Sequence, residues 1–167
     1  MHDQCVMSRG LLIVDVQTGF INSHTTHIPN VVRKLQEQYQ TLYITRFYNQ
    51  PGSLFRQLVN WNELEYGTPQ WELAFTPANH ASIIDKPVYT CVTPYFLQTL
   101  TELGIDRLDI CGVDTDACVT KCALDLFENH IEPVVLANYC SSTFGYEVHR
   151  TALATLKRLI GKRQIIH

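Results

Sequence analysis

Cys118 lies in the run Arg107-Leu108-Asp109-Ile110-Cys111-Gly112-Val113-Asp114-Thr115-Asp116-Ala117-Cys118-Val119, which reads as a buried strand, a sharp turn and a helix start with a thiol in its first turn. The unpaired N–H groups of a first turn and the positive end of the helix dipole both favour negative charge. A free thiol then needs only a modest fall in pKa to ionise at neutral pH. Cys118 is therefore the first candidate nucleophile, and thiolate chemistry is the expectation. Two other useful residues stand at strand ends. Asp15 closes the apolar run Gly10-Leu11-Leu12-Ile13-Val14, and Lys86 follows Ala81-Ser82-Ile83-Ile84-Asp85. A carboxylate, an ammonium and a thiol at one place can move a proton and support a covalent intermediate. Singly, each has a plainer reading: Asp15 as a turn or capping carboxylate, Lys86 as a surface lysine, Cys118 as a core thiol.

The elements that would position these groups alternate along the chain. Apolar runs at 10–15, 41–45, 81–85, 107–113, 133–137 and 164–166 read as strands. Helical spacing marks 29–39, 94–103, 116–129 and 146–159, with Pro29 suited to a first turn and Gly104 to a helix stop. Residues 49–79, with Pro51, Gly52, Gly67, Pro69 and Pro77 among aromatic residues, read as a long excursion holding a short helix near 54–60. Strict alternation of strand and helix implies a Rossmann-like three-layer α/β/α sandwich around a mostly parallel sheet of about six strands. In such sheets ligands bind beyond the carboxyl ends of strands, where strand order reverses, so Asp15, Lys86 and Cys118 are expected to meet there.

At 167 residues the chain is expected to form one domain, 1–167, and its 46% apolar and 17% charged composition with a net charge of −3 offers no basic stripe for nucleic acid. No apolar run approaches the roughly 20 residues of a membrane span, and residues 1–9 lack the apolar core of an export signal. A cytoplasmic location and reduced cysteines are the expectation. Cys91, Cys111, Cys122 and Cys140 lie in or beside apolar segments, and no C-x-x-C pair suggests a structural metal.

Asp15-Val16-Gln17, Lys86-Pro87-Val88-Tyr89 and Gly112-Val113-Asp114-Thr115-Asp116-Ala117-Cys118-Val119 together resemble the isochorismatase-like cysteine hydrolases, which include nicotinamidases and N-carbamoylsarcosine amidases. The resemblance extends to Asn138-Tyr139-Cys140-Ser141-Ser142 and to His149. It implies a catalytic triad of Asp15, Lys86 and Cys118, an acyl intermediate on Cys118, and an oxyanion site built from the Cys118 N–H and from Asp114 after a cis Val113–Asp114 peptide. It also implies a homo-oligomer, a dimer or larger, acting on a small-molecule substrate.

The chain departs from the nicotinamidase pattern after its second strand. Thr45-Arg46-Phe47-Tyr48-Asn49-Gln50 supplies neither the carboxylate nor the imidazoles of the Asp-x-His metal motif there, so no metal and no cofactor are expected. His24 and His27, two loop histidines without a third ligand, read as solvated. The expected substrate pocket takes in Gln17, Phe20, Arg46, Phe47, Trp61 and Tyr89, with Tyr95 a further aromatic candidate. Arg46 is either a fork for a substrate carboxylate or carbonyl, or half of an ion pair with a loop acid. Trp61 and Trp71 are alternatively placed at a subunit contact. The expected activity is a metal-independent amidase-type hydrolysis of a small C–N substrate, of nicotinamidase or isochorismatase type. A thiol redox sensor, with Cys122 one turn from Cys118, and an idle binding domain on the same fold are the competing readings.

Overall fold

The structure, a computed structural model, describes residues 8–167; residues 1–7 of the run read for an export signal, with Cys5, lie outside the described residues. Six strands, β1 (Ser8–Val14), β2 (Leu42–Phe47), β3 (Ser82–Lys86), β4 (Ile105–Gly112), β5 (Glu132–Cys140) and β6 (Ile165–Ile166), form one sheet in the order β3-β2-β1-β4-β5-β6. Every pairing is parallel. The helices are α1 (Ile28–Leu35), the single-turn α2 (Leu54–Gln57), α3 (Pro94–Glu102), α4 (Thr120–Glu128) and α5 (Tyr146–Leu159). None of the described helices is long and apolar enough to cross a membrane.

Leu11, Leu12, Ile13 and Val14 are all fully buried, which explains why β1 is apolar at consecutive positions: it is central and covered on both faces. Ile28, Val32 and Leu35 give α1 its buried stripe. The helix read as far as Tyr39 ends at Leu35 and tightens into a 3₁₀ turn at Gln36–Gln38. Thr93 caps α3, its hydroxyl accepting from the Phe96 N–H, and Pro94 occupies the first turn, where no N–H is missed.

The steps from β1 to β2 to β3 run one way along the sheet, and those from β3 through β4 and β5 to β6 run the other. Right-handed crossovers therefore set α1 and the 48–81 excursion on one face and α3, α4 and α5 on the other. The reversal falls between β1 and β4, so the residues leaving those two strands border the crevice.

Three buried amide side chains fasten the excursion. Gln17 donates to the Phe47 and Trp71 carbonyls and accepts from the Phe47 N–H. Gln36 spans Thr76 and Ala78, and Asn49 donates to the Trp61 carbonyl. A loop this long stays ordered because its own backbone groups find these partners.

Candidate active site

Asp15 leaves β1 with φ +50°, a left-handed conformation uncommon outside glycine. Its N–H is thereby taken out of the ladder and donates to Thr45 Oγ1 at 3.1 Å, while the same hydroxyl donates to Asp15 Oδ1 at 2.7 Å. Lys86, the last residue of β3, reaches back so that Nζ stands 2.6 Å from Asp15 Oδ2, 3.1 Å from the Val88 carbonyl and 3.6 Å from Cys118 Sγ. Asp15, Lys86 and Cys118 thus meet at the switch point, all three buried.

The chain reaches Cys118 through a turn that only glycine permits at its start. Gly112 has φ +113°, and a Cβ there would lie 2.1 Å from the Val14 carbonyl oxygen. A cis peptide follows between Val113 and Asp114. The helix expected from Asp116 opens as a wide π turn, Thr115–Val119, because the Asp114 carbonyl accepts from both Ala117 and Val119; regular α4 begins only at Thr120. Thr115 is pinned by its N–H to the Ser141 carbonyl and by Oγ1 at 2.7 Å from His149 Nδ1, which gives the Asn138–Ser142 segment and His149 a place beneath the turn.

The electrostatics correct the expectation of a standing thiolate. Burial pushes the Cys118 thiol well above its ordinary pKa, the Asp15 charge pushes it the same way, and the Lys86 charge only partly opposes them. Burial and the Asp15 charge together make the resting group a neutral thiol. Burial alone would lower the Lys86 pKa, but the Asp15 charge and its hydrogen bond hold it above the ordinary lysine range. Lys86 is thus a fixed cation bridging a carboxylate and a sulfur.

Thr45 was not singled out from the sequence, yet its hydroxyl holds both the backbone and one oxygen of Asp15. Thr45→Val leaves a buried N–H without an acceptor, costing about 1–3 kcal/mol. The carboxylate also loses the donor that fixes one of its oxygens. Turnover is expected to fall roughly 10–100-fold, while Thr45→Ser keeps both stability and rate. A folded Thr45→Val variant with the wild-type rate would contradict this role.

Asp114 makes a second buried carboxylate. Both oxygens accept from Thr143, from its N–H and from Oγ1, each at 2.7 Å, but burial outweighs these bonds and lifts the pKa from 3.8 to about 6. A carboxyl raised by folding contributes stability while protonated, below pH 4, and that contribution is lost as pH rises through about 6. Two units amount to about 3 kcal/mol. Asp114→Asn carries no such dependence. Its melting temperature relative to wild type should therefore rise by roughly 5–10 °C between pH 4 and pH 7, and scanning calorimetry showing a constant difference would refute the assignment.

Four of the six expected pocket residues form one aromatic wall. Phe47 stacks on Trp61 at 5.3 Å, Phe20 lies 5.9 Å from Trp61, and Phe55, not among the expected lining residues, bridges Phe47 and Tyr89 at 5.1 Å to each. Lys86 Nζ stands 5.6 Å from the Phe47 ring centre, which joins this wall to the three polar groups.

Two expected pocket residues are engaged elsewhere. Gln17 is spent on Phe47 and Trp71. Arg46 makes a two-pronged ion pair with Asp85, at 2.7 and 3.0 Å, and lies over the Trp71 ring at 3.8 Å. Arg46 is paired across β2 and β3 with Asp85, so the acid belongs to the neighbouring strand rather than to a loop. Tyr95 is exposed on α3, outside the aromatic wall. Trp71 is buried against Tyr66 and Arg46 within this chain. His24 and His27 are exposed. Among the described residues no three His, Cys, Asp or Glu side chains stand together so as to hold a metal ion.

The family model for the isochorismatase domain matches residues 9–164. Solved structures with the same fold include a nicotinamidase from Bacillus subtilis, 18% identical, with a TM-score of 0.85 over 96% of this chain and 100% of that one. A pyrazinamidase of Pyrococcus horikoshii in complex with zinc is 25% identical, with a TM-score of 0.75 over 95% and 97%. A cysteine hydrolase from Pseudomonas syringae is 19% identical, with a TM-score of 0.79 over 95% and 87%. No curated protein is a significant match to the chain.

Proposed function

This chain belongs to the isochorismatase family, and within that family of hydrolases we propose that it is a metal-independent cysteine amidase acting on a small C–N substrate. The observation that carries the proposal is Lys86 Nζ standing 2.6 Å from Asp15 Oδ2 and 3.6 Å from Cys118 Sγ at the point where strand order reverses. Asp15 takes the Cys118 proton as sulfur bonds to the substrate carbonyl carbon. Lys86 offsets the negative charge that passes between sulfur and carboxylate. The oxyanion is met by backbone N–H groups of Cys118 and Asp114. Collapse breaks the C–N bond, and the amine leaves with the proton that Asp15 returns. Asp15 next deprotonates water, which attacks the thioester, releases the acid and restores the thiol.

The resting neutral thiol supports a base-assisted attack, because a buried sulfur with a raised pKa needs a proton acceptor at hand. The aromatic wall suits an apolar substrate body, and the similar structures named as nicotinamidase and pyrazinamidase are amidases by name. The zinc of the Pyrococcus protein finds no equivalent donor set among the described residues here, so no step is assigned to a metal. The test is incubation with a panel of small amides, ureas and carbamoyl compounds, following ammonia release and, by intact mass, an acyl adduct on Cys118. Turnover with an adduct is expected; no turnover across the panel, with ordinary alkylation of Cys118 at neutral pH, would overturn the reading.

A further inference from the structure

We propose that Cys91 and Cys122 are a site of reversible oxidation, closing to a disulfide with a hydroperoxide, separate from Cys118 and independent of the hydrolase reading. Cys91 sits in the segment joining β3 to α3, and Cys122 sits on α4 one turn beyond Cys118. Their sulfurs are 4.0 Å apart, and both side chains are buried. Cys122 Sγ also lies 3.9 Å from the Tyr89 carbonyl.

Access comes from one side. Cys91 helps line a cavity of about 470 Å³ that opens beside β3 and α3, with Lys86, Val88, Thr90 and Phe96 among its walls. A peroxide occupies little more space than the roughly 30 Å³ of a water molecule. The pair is also poised for the chemistry. The hydrogen bond from Cys91 lowers the Cys122 pKa, and the Lys86 charge acts with it against burial, while the Cys91 thiol is raised. Ionisation of the pair, with loss of one proton to solvent, is thus favoured at Cys122 over Cys91.

The Cys91 sulfur, at the cavity, attacks one peroxide oxygen as its proton passes to Cys122. The O–O bond breaks, giving Cys91 sulfenic acid and hydroxide. The Cys122 sulfur then attacks the sulfenic sulfur and the S–O bond breaks; the departing oxygen takes the Cys122 proton and leaves as water, and the hydroxide of the first step is neutralised by the proton that ionisation of the pair had released. Two thiols lose two electrons and two protons, and one hydroperoxide accepts them. A dithiol reverses the reaction by exchange.

Trypsin separates the relevant thiols, because cleavage after Lys121 splits Cys118, in peptide 108–121, from Cys122, in peptide 122–150, and Cys91 lies in peptide 57–107. Folded wild type and Cys118→Ala should each be treated with a few equivalents of hydrogen peroxide, unfolded in iodoacetamide, and digested without reduction. The expected product, in both proteins, is peptide 57–107 joined to 122–150 through Cys91 and Cys122, at least tenfold above untreated protein and lost on adding dithiothreitol. Recovery of Cys91 and Cys122 as alkylated thiols from protein whose Cys118 has been oxidised would overturn the proposal. So would a link running to peptide 108–121 or to Cys140.

Discussion

Replacing Cys118 by alanine is expected to abolish turnover, with a fall of at least roughly 10⁴-fold, and to eliminate the acyl adduct while leaving the fold intact. The magnitude follows from the chemistry assigned to the sulfur. Without it there is no covalent intermediate, and Asp15 and Lys86 are left as a buried ion pair with nothing to deprotonate. The structural cost is small, since the side chain is only 6% exposed but alanine removes a single heavy atom from a site already bounded by Lys86 and α4. Alanine also introduces no polar group that would need a partner. Ammonia release measured beside far-ultraviolet circular dichroism separates the two effects. A folded alanine variant keeping more than about 1% of wild-type rate would assign the nucleophile elsewhere.

The central strand was readable because Leu11–Val14 is an unbroken apolar run, a character it has only when both faces are covered. The meeting of Asp15, Lys86 and Cys118 followed from the same reading, since residues at parallel strand ends share one edge of the sheet. Of the two readings of Arg46 the ion pair is the one seen, with a strand acid in place of a loop acid, for a reason the sequence contained. Thr45, Arg46 and Phe47 alternate across the sheet, so the parity that turns Thr45 toward Asp15, and Phe47 toward Lys86, turns Arg46 to the other face, opposite Asp85. The protonation of Cys118 was not legible in that way. A helix dipole is a property of a short segment, whereas the burial that raises the thiol pKa is made by residues scattered along the chain. The roles of Gln17 and Asn49 depended likewise on where a thirty-residue excursion lays its carbonyls, which no local pattern encodes.

Asp15→Asn is expected to lower turnover by at least roughly 10³-fold, because one carboxylate serves as base toward the thiol, acid toward the leaving amine and base toward water. Two further effects distinguish this from general damage. The Asp15 charge, after burial, is the group that holds the Cys118 thiol up, and Lys86 is the group that pulls it down. With the carboxylate neutralised and Lys86 retained, the thiol pKa should fall, so the basic limb of Cys118 alkylation by iodoacetamide should move to lower pH as hydrolysis collapses. The same change leaves the Lys86 ammonium, 3% exposed, without its counter-charge. Breaking a buried pair in this way costs about 3–5 kcal/mol. Asp15→Asn combined with Lys86→Met removes both charges and should recover most of the lost melting temperature, since an apolar replacement of a buried pair is often neutral. It should recover none of the turnover. A single variant with an unshifted alkylation profile, or a double variant that hydrolyses substrate at an appreciable rate, would show that stability alone accounts for the geometry of Asp15 and Lys86 around the sulfur.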